Sequence, residues 1–244
     1  MGIDCCDITC LSGGFVDIVR STHRMETKLQ VVDEESSFRA LNKPSGLSVL
    51  KDNTGAACLY DLYSDRFGEK PLMVHRIDKG ASGLLLVART DEFRSGFSRL
   101  LAERGVEKIY LALVDGVPAP PEGLIDAPLE KARKGKYRIA ESGGGYASQT
   151  EYETLSTGDG QTLLVAHPLT GRSHQIRVHL ASIGHPLVRD PLYGRERRKP
   201  SLYPELTLHA WRLKFVHPVE ERAISIEAPA PEWAKVPLGK RDLQ

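Results

Sequence analysis

Three short segments hold the residue types that chemistry needs. The first reads Val74-His75-Arg76-Ile77-Asp78-Lys79-Gly80-Ala81-Ser82-Gly83. Asp78 stands between two cations, Arg76 and Lys79, which would favour its ionised form, and the two glycines let backbone approach a ligand closely. Such a carboxylate can serve as a nucleophile or a base, although an aspartate in a turn also serves simply to close an Asx turn. In the second segment, Lys108-Ile109-Tyr110-Leu111-Ala112-Leu113-Val114, alternation puts Lys108, Tyr110, Ala112 and Val114 on one strand face. Tyr110 there either offers a flat surface to a ligand or fills core. The third runs from Gly171-Arg172-Ser173-His174-Gln175-Ile176-Arg177-Val178-His179-Leu180 through Gly184-His185-Pro186 to Asp190-Pro191-Leu192-Tyr193-Gly194. His174 and Arg177, three apart, share a helix face distinct from the Ile176/Leu180/Ile183 stripe. An inward Arg177 could pair bidentately with a carboxylate such as Asp78. A metal-dependent hydrolase built on His174, His179 and Asp190 is the rival chemistry. The histidines lack His-Glu-x-x-His spacing, and five positions separate His174 from His179, so no metal site is expected.

These segments need elements to hold them. Phe38 to Leu41 reads as a strand entering the turn Asn42-Lys43-Pro44-Ser45-Gly46, and apolar spacing from Ala56 to Phe67 predicts a helix. Leu84 to Ala88 is a short apolar run, expected to be a strand buried on both faces. Thr90 should cap a helix with Asp91 and Glu92 in its first turn, an inward stripe of Phe93, Phe97, Leu100 and Leu101, and Gly105 as its stop. Strands are predicted over 109–117, 148–155, 162–166, 206–215 and 223–226. A helix over 173–183 should be capped by Ser173 and ended by Gly184. This interleaving predicts an α+β fold: one domain over 28–240 with a central mixed, largely antiparallel sheet flanked by helices, preceded by an extension over 1–27.

The 244 residues hold 33 Lys plus Arg against 32 Asp plus Glu, a net charge of +1, which excludes a basic field over the whole molecule. A polyanion would have to be held by local patches, and two exist. Lys131, Arg133, Lys134, Lys136 and Arg138 cluster without an acid, and residues 195–199 carry four cations and one acid. No apolar run approaches the ~20 residues of a membrane span. Three of the four cysteines fall in the first ten residues without Cys-x-x-Cys spacing, which suggests reduced thiols and a cytoplasmic protein. The glycine-rich turn 142–145 lacks a phosphate-loop lysine, and no nucleotide cofactor is expected.

Together the segments closely resemble the RluA family of RNA pseudouridine synthases. The family's His-Arg-Leu-Asp-x-x-Thr-Ser-Gly appears as His75 to Gly83, its Lys-x-Tyr as Lys108-Ile109-Tyr110, and its Gly-Arg-Thr/Ser-His-Gln-Ile/Leu-Arg-x-His as Gly171 to His179. Asn42 to Gly46, Gly184-His185-Pro186, Asp190 to Gly194 and Leu208-His209-Ala210 also match, in order, over roughly residues 30–232. Ile77 replaces Leu, Ala81 replaces Thr, and Arg189 stands where Gly is common. The loss of the threonine hydroxyl removes a hydrogen bond near Asp78. The resemblance implies isomerisation of uridine to pseudouridine in ribosomal and/or transfer RNA, without cofactor or metal, by a monomer that needs no protein partner. It leaves no room for an N-terminal S4 domain. It assigns catalysis to Asp78, Tyr110 and Arg177, with Asp78 either attacking the sugar or abstracting a sugar proton. RNA contact falls to Arg76, entering the space left by a flipped base, and to His75, Arg172 and His174. The cations Lys131, Arg133, Lys134 and Lys136 become backbone phosphate contacts. A non-catalytic RNA-binding protein or chaperone on the same fold is the alternative.

Overall fold

The computed structural model describes residues 29–141, 143–194 and 206–235. The expected extension over 1–27, Cys5, Cys6, Cys10 and the basic stretch 195–199 lie outside the described residues. In chain order the elements are β1 (Gln30–Glu34), β2 (Phe38–Lys43), α1 (Leu59–Phe67), β3 (Leu72–Met73), β4 (Ser82–Ala88), α2 (Asp91–Ala102), β5 (Val106–Asp115), β6 (Glu122–Asp126) and β7 (Leu129–Lys131). Then follow β8 (Tyr137–Ile139), β9 (Gln149–Gly158), β10 (Gln161–Pro168), α3 (Gln175–Ser182), β11 (Leu208–Val216), β12 (Ala223–Glu227) and α4 (Glu232–Lys235).

Ten strands form one sheet in the order β1-β2-β4-β11-β5-β10-β9-β6, with β12 added to β11 and β3 to β4. Each pairing is antiparallel except β4 with β11, a short parallel contact of Ser82 with His209 and Gly83 with Ala210. The expected mixed, largely antiparallel sheet is thus present. β7 and β8 make a separate two-stranded ribbon.

Strand alternation distributes the core over both faces. Ile109, Leu111 and Leu113 of β5 pack with Trp211 and with Trp233 and Ala234 of α4, while Ala112 and Val114 face Ile176 and Leu180 of α3. Next to them, Phe93 and Phe97 of α2 pack on Phe38, Leu86 and Phe215; truncating either ring to alanine costs about 3–5 kcal/mol. Tyr110 touches both the α2 and the α3 clusters and so lies at the seam between them.

Thr90 caps α2 as expected, its hydroxyl accepting the Phe93 N–H at 3.2 Å. Other boundaries differ. α1 begins at Leu59 with Cys58 at its N-cap, because residues 53–57 form a turn and loop. At the end of α2, Arg104 rather than Gly105 takes the left-handed conformation (φ 61°), and the Gly105 N–H closes onto the Leu100 carbonyl. α3 begins at Gln175, and the residue before it is His174 in a left-handed conformation (φ 58°), not a capping Ser173. Ile183, placed inward by periodicity, is exposed, since α3 ends one residue before it.

Candidate active site

Asp78 lies in the loop that leads into β4 where β4 meets β11. Gly83 adopts φ +104°, and a Cβ there would fall 2.2 Å from the Ala210 carbonyl oxygen, so only glycine permits this junction. A second clamp comes from the 42–46 turn. The fully buried Lys43 ammonium donates to the carbonyls of Pro44 (2.8 Å), Leu47 (2.9 Å) and Lys79 (3.2 Å). The Gly46 N–H donates to the Lys79 carbonyl and the Ser45 hydroxyl to the Gly80 carbonyl. These bonds fasten the loop although Ala81 contributes no hydroxyl; Ala81 is buried in the core instead.

The neighbouring cations behave differently from the expectation. Lys79 turns away from Asp78 and pairs with Asp52 at 2.7 Å. The nearest compensating charge comes from α3, where Arg177 Nη1 donates to Asp78 Oδ2 at 3.1 Å. Arg177 does not fork onto Asp78. Its fork holds Asp190, Nε to Oδ2 at 2.8 Å and Nη2 to Oδ1 at 2.9 Å. Asp190 Oδ1 also accepts the N–H groups of Leu192 and Tyr193. Asp190 is wholly buried and Arg177 nearly so, which makes the pair a rigid anchor that leaves Nη1 to face Asp78. Burial opposes the arginine's charge, but Asp190 and Asp78 outweigh it and hold its pKa above the ordinary value.

Asp78, Tyr110, Arg177, Arg76, Arg172 and His174 line one cleft of about 570 Å³. Burial first, then the charge of Asp78, push the Tyr110 phenol well above its usual pKa, so it keeps its proton. Arg76 is exposed at the cleft. His75 and Lys108 also line it. His75 Nε2 accepts the Leu86 N–H at 2.8 Å, satisfying β4 beside its short partner β3. Burial, helped by Lys108, drives the His75 pKa down to about 4, so it is neutral near pH 7. Burial also lowers the Lys108 pKa, and its ammonium makes a long contact to the Thr170 carbonyl.

His174 Nδ1 meets the Tyr193 hydroxyl at 2.8 Å, and that hydroxyl accepts the Tyr137 N–H at 2.9 Å. This chain ties the β7–β8 ribbon, with exposed Lys131, Arg133 and Lys134, to the start of α3. Lys136 is only partly exposed and donates to the Leu192 carbonyl. The residues of the metal rival do not converge. His179 contacts Thr150 Oγ1 and the Ala127 carbonyl with its two nitrogens, while Asp190 is taken up by Arg177. Among the described residues Glu35, His217 and Glu220 do approach one another. There His217 Nε2 is engaged by Ser37 and Nδ1 by the N–H groups of Val219 and Glu220. Sequence reasoning missed the Asp190 anchor and the Tyr193 relay. Their signal, Asp190-Pro191-Leu192-Tyr193-Gly194, was visible, but nothing in it named Arg177 as the partner.

A family model described as RNA pseudouridylate synthase matches residues 37–182, more than half of the chain. The chain is 33% identical over 237 residues to the ribosomal large subunit pseudouridine synthase D of Zymomonas mobilis, covering 89% of this chain and 74% of that protein. The chain belongs to the RluA family of RNA pseudouridine synthases. It is an isomerase of uridine in RNA, and the catalytic reading prevails over the non-catalytic one. Similarity extends to the dual-specificity RNA pseudouridine synthase RluA of Escherichia coli O6:H1, 34% identical over 84% of this chain and 94% of that protein. Among solved structures, the human RNA pseudouridylate synthase domain containing 1 superposes with a TM-score of 0.72 at 27% identity, covering 84% of each chain. Among the described residues no helix is long and apolar enough to cross a membrane.

Proposed function

We propose that this pseudouridine synthase modifies uridine in ribosomal or transfer RNA, in the cytoplasm and as a monomer, with Asp78 as its catalytic carboxylate. One observation carries the assignment: Arg177, locked by its Nε and Nη2 fork to buried Asp190, donates from Nη1 to Asp78 inside the cleft. A base stacked within RNA cannot reach Asp78, so the target nucleotide is flipped into the cleft and Arg76 takes the space it leaves. Asp78 then attacks the sugar or abstracts a sugar proton as the bond from C1′ to N1 breaks. The detached uracil turns, C1′ bonds to C5, the C5 proton leaves, and N1 ends protonated. Tyr110 stacks on the uracil. Because its phenol is protonated, it can accept the C5 proton only by handing on its own. Arg172 and His174 contact RNA at the cleft wall, and Lys131, Arg133, Lys134 and Lys136 face the phosphate backbone. His75, bonded to β4, contributes to the shape of the cleft.

The ribosomal and transfer RNA assignment draws on relatives whose names specify the ribosomal large subunit and dual specificity. Pseudouridine mapping by carbodiimide-dependent reverse-transcription stops tests it, on ribosomal and transfer RNA from cells lacking this protein. Sites that reappear with the wild-type protein and not with Asp78→Ala support the reading. Restoration by Asp78→Ala, or no restored site in either RNA class, overturns it.

A further inference from the structure

Beside the cleft stands an aromatic ring that the reaction does not use. Tyr146 is 64% exposed, unusual for a large aromatic side chain, yet its backbone is firmly held. Its N–H donates to the Leu129 carbonyl at 2.8 Å and its carbonyl accepts the Leu129 N–H at 3.0 Å, placing it alongside the β7–β8 ribbon. The Ser148 hydroxyl also donates to its carbonyl at 2.8 Å. Gly145, just before it, has φ +84°, and a Cβ there would lie 2.6 Å from Ala140 Cβ and 2.9 Å from the Leu129 carbonyl oxygen. Glycine at 145 is therefore required for the ring to stand where it does. Over that ring lies the Arg172 guanidinium, 5.4 Å from the centroid, its Nε donating to the Ala147 carbonyl at 3.3 Å. Arg172 is also a wall of the active cleft.

We propose that Tyr146 and Arg172 form a stacking shelf for an unpaired base of the substrate RNA next to the flipped uridine. Three features support this occupant. The ring is flat, open to solvent and carried on a backbone held by hydrogen bonds. A planar cation lies over it, and exposed Lys131, Arg133 and Lys134 lie on the ribbon that holds it, so the surroundings suit a polyanion. Its partner arginine continues into the cleft, so a strand entering the cleft passes the shelf. RNA is read chiefly where bases are splayed from the helix and stacked on aromatic or guanidinium planes. Every base has a π-face, so the shelf selects unpaired structure rather than sequence.

The shelf rests on the RNA-modifying reading above, and the test separates the two. Affinity is measured for a mixed-sequence single-stranded RNA of about 12 nucleotides, and for an abasic ribose-phosphate chain of the same length. Tyr146→Ala should weaken RNA binding roughly 5- to 150-fold, the range of one base–aromatic stack, and leave abasic binding nearly unchanged. Tyr146→Phe, which keeps the ring, should bind as wild type does. Val219→Ala, an exposed apolar change in the β11–β12 turn, is the control. Equal losses on both chains would show that Tyr146 acts through the ribbon's structure, and no loss on RNA would show no stacking; each overturns the shelf. If Tyr146→Ala binds RNA normally while the wild type forms pseudouridine, the shelf fails and the catalytic reading stands. Absence of pseudouridine formation by the wild type overturns the catalytic reading itself.

Discussion

Asp190→Asn isolates the anchor behind Asp78. Asp190 Oδ1 accepts from Leu192, Tyr193 and Arg177 Nη2, and the carboxamide oxygen of asparagine can keep those three bonds. What it cannot keep is the charge or the bond from Arg177 Nε to Oδ2, where an NH2 group would now face a donor. Losing one charge-assisted hydrogen bond costs about 1.5–3 kcal/mol, less than the 3–5 kcal/mol of removing one partner of a buried ion pair outright. Against a typical domain stability of about 5–15 kcal/mol, Asp190→Asn should fold, whereas Asp190→Ala risks not folding. Catalysis should suffer more. With its fork loosened, Arg177 can drift toward Asp78, and a misplacement of about 1 Å can cost on the order of 100-fold in rate. Single-turnover tritium release from C5-labelled RNA should therefore fall about 10- to 100-fold, while RNA affinity holds, with urea unfolding measured in parallel. A variant that loses the expected stability but keeps the wild-type rate would refute the idea that Asp190 positions Asp78 through Arg177.

Acid should destabilise the fold before it protonates carboxylates. Burial takes both His75 and His209 down to about 4 from 6.5, so the unfolded chain binds these protons first as pH falls. Stability is then unaffected above about pH 6.5 and lost between there and pH 4, with a combined drop of about 4 kcal/mol between pH 7 and pH 5. Urea midpoints at the two pH values test this, with His75→Gln halving the drop; equal midpoints would contradict it. Neutralising Lys131, Arg133 and Lys134 together should lower the salt slope of single-stranded RNA binding by about 2, as three lost phosphate contacts imply, and an unchanged slope removes the ribbon from the RNA path. Gly83→Ala should cost about 3 kcal/mol or more, because its methyl would collide with the Ala210 carbonyl; circular dichroism melts would show it, and an unchanged melt would deny the β4–β11 junction.

What the sequence made legible was local. Thr90 with Asp91 and Glu92 is a helix start written in side chains that act within one turn, and the structure has that cap. Apolar runs such as Leu84 to Ala88 announce buried strands because both faces are covered. Polar edge strands are harder: Gln30–Glu34 and Glu122–Asp126 carry little apolar alternation and pair only because β2 and β9 offer free edges. His174 looked like part of a helix because the code for a left-handed residue at that position is tertiary, set by Tyr193 and Tyr137. The cleft shows the same division. Asp78, Tyr110, Arg177, Arg76, Arg172 and His174 could be named from their motifs, and all of them line it. The charge that faces Asp78 could not be read from its neighbours. Lys79, adjacent in sequence, serves Asp52, while Arg177 arrives from ninety-nine positions away with Asp190 behind it.

The role of Asp78 is tested most directly by tritium release from unmodified ribosomal and transfer RNA labelled at uracil C5, comparing wild type with Asp78→Asn. The carboxamide keeps the shape and an oxygen for the Arg177 N–H, so RNA binding should persist. Release by the wild type and none by Asp78→Asn at equal RNA occupancy is the predicted result. Comparable release by both would contradict a catalytic carboxylate at Asp78.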